Sequence, residues 1–144
     1  MTKPLDVSHL LPVVAAALIR DDGAVLLQKR PESRAMAGLW EFPGGKIEQG
    51  ERPEAALARE LEEELAIAVA EADLAPACFA SAPLGDRHLL LLLFAVRRWT
   101  GEPRAVEASE LRWVMPDAMR DLPMPPADLP LIGMLEALIA AECV

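Results

Sequence analysis

Residues 45–67 read GKIEQGERPEAALARELEEELAI, a glycine-led loop that gives way to a helix. Pro53 suits a first helical turn, Glu51 and Glu54 suit the positive N-terminal end, and alanines and leucines carry the pattern to Leu65, so the spacing predicts a helix over 53–65. On that helix Leu57, Leu61 and Leu65 recur at i, i+4 and i+8, a stripe able to enter a core. Glu60, Glu63 and Glu64 stand at i, i+3 and i+4, so their carboxylates leave a neighbouring face together. Like charges at these spacings weaken an isolated helix by roughly 0.2–0.5 kcal/mol per pair. Bound Mg²⁺ would offset the repulsion, because it takes carboxylate oxygens together with substrate phosphates. Taken alone, a Glu-Leu-Glu-Glu-Glu run is also what a solvated helix surface looks like.

Working outward, residues 39–42 read as a short strand running into Pro43-Gly44-Gly45, where a proline and two glycines speak against regular structure and for a special backbone shape. Residues 31–38 are loop-like. Further back, the apolar segments 12–19 and 24–28 flank the turn triplet Asp21-Asp22-Gly23, which predicts a β-hairpin. Beyond the helix, 77–82 and 88–99 read as strands joined through 83–87, and 111–114 adds another. Met115-Pro116-Asp117 starts a short helical turn. After the proline-rich stretch 122–126, residues 129–141 read as a closing amphipathic helix with Asp128 as its N-cap. Strands, helix, strands, helix predicts an α+β fold with a mixed β-sheet between helices.

At 144 residues the chain matches one domain, 1–144, long enough to enclose a core without disulfides or structural metals. Its 53% hydrophobic and 26% charged content is that of a globular protein. The longest apolar run, 89–96, is far short of the roughly 20 residues a helix needs to cross a bilayer. Residues 10–19 make a poor signal segment, since only Lys3 precedes them and Arg20-Asp21-Asp22-Gly23 then turns. Cys78 and Cys143 match no metal or redox spacing and are expected as reduced thiols in a cytoplasm. A formal charge of −9 argues against nucleic-acid polymers and anionic membranes as partners. A small polyphosphate is still admissible where divalent metal bridges the two anions.

Gly45, Glu51 after five intervening residues, Arg59-Glu60 after seven more, and then Glu63-Glu64 together resemble the Nudix signature G-x5-E-x7-R-E-U-x-E-E-x-G-U, with Leu61 and Ile67 at its apolar U positions. Six fixed matches, each common at very roughly one position in fifteen, coincide by chance about once in ten million starting points. The signature's last glycine is Ala66 here. If that residue closes the helix in the left-handed conformation, alanine costs on the order of 1 kcal/mol without removing any side-chain chemistry. The resemblance covers nearly the whole chain and is closest to the MutT branch of nucleotide pyrophosphohydrolases, through residues 39–46, 99–103 and 125–128.

The resemblance implies the Nudix fold, a mixed β-sheet sandwiched between helices, and a set of roles. Glu60, Glu63 and Glu64, with the Gly44 carbonyl, would hold catalytic Mg²⁺, for which Mn²⁺ could substitute. Glu107 would be a further ligand or base, or else an ordinary surface glutamate. Arg59 would pair with Glu51 and orient Glu60, a bidentate role that suits a guanidinium. Water would attack phosphorus to give a nucleoside monophosphate and pyrophosphate, with Glu60 taking the proton. Arg30 and Lys46 would add positive charge, or serve as surface residues. Phe42 and Arg87 would flank the nucleotide, or serve in the core and in a turn. His9 and His88 receive no role.

Asp128 stands where MutT-type enzymes specific for 8-oxo-dGTP place an asparagine. An asparagine amide accepts from N7–H of 8-oxoguanine while donating to O6, but an ionised carboxylate only accepts. It could instead take the exocyclic amine of cytosine, as the similar 126–130 segment of a cytidine-triphosphate branch implies, or simply cap the last helix. The expected activity is hydrolysis of oxidised nucleoside triphosphates, 8-oxo-dGTP first, in nucleotide-pool sanitation. The alternatives are a CTP or 5-methyl-dCTP pyrophosphohydrolase and, from another class, a non-catalytic nucleotide-binding module. The lack of any tyrosine disfavours a dinucleotide specialist. The enzyme is expected as a monomer or homodimer.

Overall fold

A computed structural model describes residues 6–142, so Lys3 and Cys143 lie outside the described residues. Seven strands and two α-helices follow in the order β1 (Leu10–Leu18), β2 (Val25–Lys29), β3 (Trp40–Glu41), β4 (Gly44–Lys46), α1 (Pro53–Leu65), β5 (Leu74–Leu84), β6 (Arg87–Val96), β7 (Glu110–Val114) and α2 (Leu129–Glu142). A four-stranded sheet runs β4-β1-β6-β5, and a three-stranded sheet runs β3-β2-β7. Only β1 and β6 pair in parallel, Val14 against Leu92 and Leu18 against Val96; the other pairings are antiparallel.

Alternation along β1 explains how the sheet comes to lie between helices. Val14, Ala16 and Leu18 join Leu57, Leu61 and Leu65 of α1 in one core, while Ala15 and Ala17 join Leu131, Ile132 and Leu135 of α2 in the other. Strand β6 divides the same way, Phe94 and Val96 toward α1 and Leu93 and Ala95 toward α2. The expected α+β sandwich is therefore present, and α1 occupies the expected residues.

Several expectations need correction. Segments 12–19 and 24–28 do not form a hairpin beyond one bridge, Ile19 with Val25, because β1 takes both its neighbours from elsewhere and β2 enters the other sheet. The turn itself holds, with Gly23 at φ 89°. Within Pro43-Gly44-Gly45 only Pro43 stays irregular, as a bend; Gly44 and Gly45 open β4 opposite Ala15 and Val14. Glycine is required there by closeness, since a Cβ on Gly44 would lie 2.0 Å from the Val14 carbonyl oxygen. Glu51 bonds Arg59 through both oxygens, as expected. Helix α2 lacks a polar face, exposing Leu129 and Met134 while burying Leu131, Ile132 and Leu135. Strand β5 begins earlier than residue 77 and carries an irregularity between Pro76 and Cys78, and β6 ends at Val96 rather than 99.

Candidate active site

Helix α1 ends in a left-handed Ala66, φ 58° and ψ 35°, whose N–H returns to the Glu62 carbonyl. Two of the helix's last carbonyls are met by the loop between β6 and β7: Arg104 N–H donates to Leu65 O and Val106 N–H to Glu64 O. Those bonds carry residue 107 to the acidic face of α1. At its other end the glycine-led loop folds back on the same face, and Arg59 joins the parts. Its Nε and Nη2 donate to the two oxygens of Glu51 at 2.8 and 2.9 Å, Nη1 to Glu60 at 3.0 Å and Glu63 at 3.3 Å, and Nη2 to the Lys46 carbonyl at 3.3 Å. This bidentate contact holds the Glu51 carboxyl down at about 2.

Glu60 packs over Gly45 so closely that a Cβ there would lie 2.4 Å from its carboxyl carbon, which gives that glycine a reason independent of backbone angle. Burial raises the Glu60 carboxyl, and Arg59 opposes the rise. Glu64 lies deeper. Gln28 Nε2 and Gly44 N–H both donate to its Oε2, at 3.0 and 3.2 Å, yet burial pushes its carboxyl up to about 7.

Beside Glu64 a cleft is lined by Gln28, Lys29, Arg30, Arg34, Glu41 and Glu107. Arg30 is committed within it, donating to Glu41 at 2.9 Å and to the Ala35 carbonyl at 2.7 Å. Arg34 reaches Glu107 across the mouth at 3.2 Å in an exposed pair. Lys46 is exposed at the end of β4. Arg87 is exposed where β6 begins, four residues and so about 13 Å along the strand from Leu91, which β1 aligns with Lys46. It stands apart from the acidic cluster, as the first residue of the strand after the turn at 85–86. Phe42 is 4% exposed within the α2-side core, which supports its core reading. Asp128 does not cap α2 through its side chain: Oδ2 accepts from Phe42 N–H at 3.4 Å, and the capping contact to Leu131 N–H comes from its backbone carbonyl. Burial, then the neighbouring Glu41, lifts its carboxyl to about 7.

Gln28 and Arg34 belong to no motif in the sequence. Both belong to the cleft, and neither carries a spacing signal, since their partners are 36 and 73 residues away.

Among the described residues no three acidic, histidine or cysteine side chains are gathered tightly enough to hold a metal ion as placed. Glu60 and Glu63 lean on Arg59, and Glu64 on Gln28 and Gly44. The donor set nonetheless suits a hard divalent cation: it is all oxygen, and one turn of one helix supplies three carboxylates, the deepest of which burial and the neighbouring Glu60 and Glu41 carboxylates push up to about 7.

A family profile described as the NUDIX domain matches residues 9–134. A CTP pyrophosphohydrolase of Escherichia coli (strain K12) is 38% identical over 129 residues, covering 90% of this chain and 94% of the relative. An 8-oxo-dGTP diphosphatase of the same organism is 36% identical over 126 residues, covering 87% and 96%. The solution structure of the E. coli ORF135 protein superposes with a TM-score of 0.84 at 37% identity, covering 96% of this chain and 97% of that one.

Proposed function

This chain belongs to the Nudix hydrolase family, and from that premise we propose that it hydrolyses nucleoside triphosphates with Mg²⁺ to nucleoside monophosphate and pyrophosphate, 8-oxo-dGTP first. Mn²⁺ substitutes for Mg²⁺ in this reading. The observation that carries it is the Arg59 hub, which lines Glu60 and Glu63 beside the half-buried Glu64 at the edge of a cleft that also holds three basic side chains. A surface that merely bound nucleotide would have no use for so many carboxylates facing a polyphosphate, which disfavours the non-catalytic alternative.

Glu60, Glu63, Glu64 and the Gly44 carbonyl would hold the cation. Bound there, a divalent ion neutralises charge on the phosphate oxygens and acidifies the attacking water. Glu60, whose carboxyl is raised and already oriented by Arg59, takes the proton; Glu107, which lines the cleft, is the alternative base or a further ligand. Arg30 and Lys46 add positive charge toward the phosphates, and Arg30 is braced for this by Glu41. Residues 1–144 act as one domain, in the cytoplasm, as a monomer or homodimer. No described helix is long and apolar enough to cross a membrane.

Asp128 favours a second reading, CTP or 5-methyl-dCTP, because its ionised carboxylate accepts only and so suits an exocyclic amine. The two E. coli relatives carry one name of each kind. Turnover of Glu63→Gln and Glu64→Gln at saturating Mg²⁺ tests the shared chemistry. Both should fall by orders of magnitude with the fold intact, and Glu60→Gln likewise. Near-normal rates in the Glu63 and Glu64 variants would remove the metal assignment, and an unchanged Glu60→Gln would pass the base role to Glu107.

A further inference from the structure

Buried polar atoms in folded proteins are almost always hydrogen-bonded. Gln28 meets this on one side only. It is 6% exposed in β2, and its Oε1 is buried without a partner. Leu26, two residues earlier on the same face of the strand, lies in the α1-side core, so an apolar side chain would suit position 28 and carry no such cost to folding. Something other than stability must account for the amide.

Its other end supplies the reason. Gln28 Nε2 donates to Glu64 Oε2 at 3.0 Å, and Gly44 N–H donates to the same oxygen at 3.2 Å. The two donors arrive from different sheets, Gln28 from the three-stranded one and Gly44 from the four-stranded one. Among the described residues Glu64 Oε1 takes no side-chain hydrogen bond. We infer that Gln28 is a positioning residue, whose amide fixes Glu64 with Oε2 engaged by the protein and Oε1 left for the cation. This rests on the reading of Glu64 as a metal ligand. The amide cannot usefully turn over, since that would set its oxygen against the carboxylate. One half of Gln28 is thus committed and the other half is left bare.

Core packing and ligand positioning make opposite demands, which the full chain carrying Gln28→Met or Gln28→Leu separates. Two quantities would be read without substrate: the metal-free Tm, and Mn²⁺ affinity from the free-ion electron paramagnetic resonance signal. The expected result is a Tm equal to or above that of the parent with Mn²⁺ bound about 10- to 100-fold more weakly, the usual effect of removing a group that supports a metal ligand. At saturating metal, kcat should recover to within about threefold while the Mg²⁺ requirement rises. Parental Mn²⁺ affinity in either folded variant overturns the inference, whatever the Tm. Glu64→Gln distinguishes the two levels: if it too binds Mn²⁺ like the parent, the reading of Glu64 has failed; if it weakens binding while the Gln28 variants do not, only the role of Gln28 has.

Discussion

Two carboxyls, the buried Asp128 and the half-buried Glu64, lack a full counter-charge, and both sit at about 7. A raised acid is protonated in the folded chain over a range where the unfolded chain has already lost its proton. Each therefore costs stability as pH rises from the ordinary carboxyl value of about 4 to about 7, and the whole cost is present above 7. Asp128→Asn keeps an acceptor for Phe42 N–H and removes the charge, so it should flatten this slope. We expect a gain on the order of 2 kcal/mol at pH 8 and about a third of that at pH 5, read by urea unfolding without metal. An equal effect at both pH values would show that Asp128 does not ionise in this range. The same substitution bears on the base. If Asp128 reads it, Asn should move relative kcat/KM toward 8-oxo-dGTP and away from CTP by about tenfold or more. In the parent, that preference should be stronger at pH 6, where the carboxyl can donate, than at pH 8, where it only accepts. Identical ratios in both proteins would leave Asp128 with only its bond to Phe42. For Glu64 the sign leads elsewhere: cation binding needs the ionised form, so at pH 6.5 it should release a proton. Calorimetry in two buffers of different ionisation heat would show it in the parent and not in Glu64→Gln.

At the scale of elements, α1 was legible to its ends because each of its two stripes has one job: leucines at every fourth position bury, and glutamates beside them gather around Arg59 and, at Glu64, line the cleft. The glycine-led loop was legible for the same reason, with Gly45 and Arg59 tied to Glu60 and Glu51 at fixed spacing. Alternation along 12–19 and 24–28 says which side chains share a face but not which strand lies alongside, so the supposed hairpin proved to be two strands in two sheets. Gln28 with Glu64 and Asp128 with Phe42 are contacts across 36 and 86 residues, which no local pattern encodes. A polar residue closing an apolar strand looks like an outward-facing one. The end of α1 gives a prediction of its own. Ala66 is left-handed, a conformation that costs an L-residue about 1–2 kcal/mol, part of which glycine would return as greater freedom in the unfolded chain. Ala66→Gly should raise Tm by about 2–5 °C and leave kcat/KM unchanged. A lower Tm would mean that the helix end is not strained.

Over the whole molecule the formal charge is −9, and the proposed substrate is a polyanion. Long-range attraction is thus not what brings them together. Local arrangement must do it, through Lys29, Arg30 and Arg34 at the cleft and through a cation shared by the glutamates and the phosphates. On the proposed reading, such a design would tie activity to divalent metal and favour a nucleotide over the nucleic-acid polymer. The most direct measurement is phosphorus magnetic resonance of the products formed from 8-oxo-dGTP and from CTP, with Mg²⁺ and again with excess EDTA. The expected result is nucleoside monophosphate and pyrophosphate in equal amounts with Mg²⁺, neither with EDTA, and neither at a comparable rate from Glu64→Gln. Orthophosphate as the first product, or turnover that survives EDTA, would contradict it.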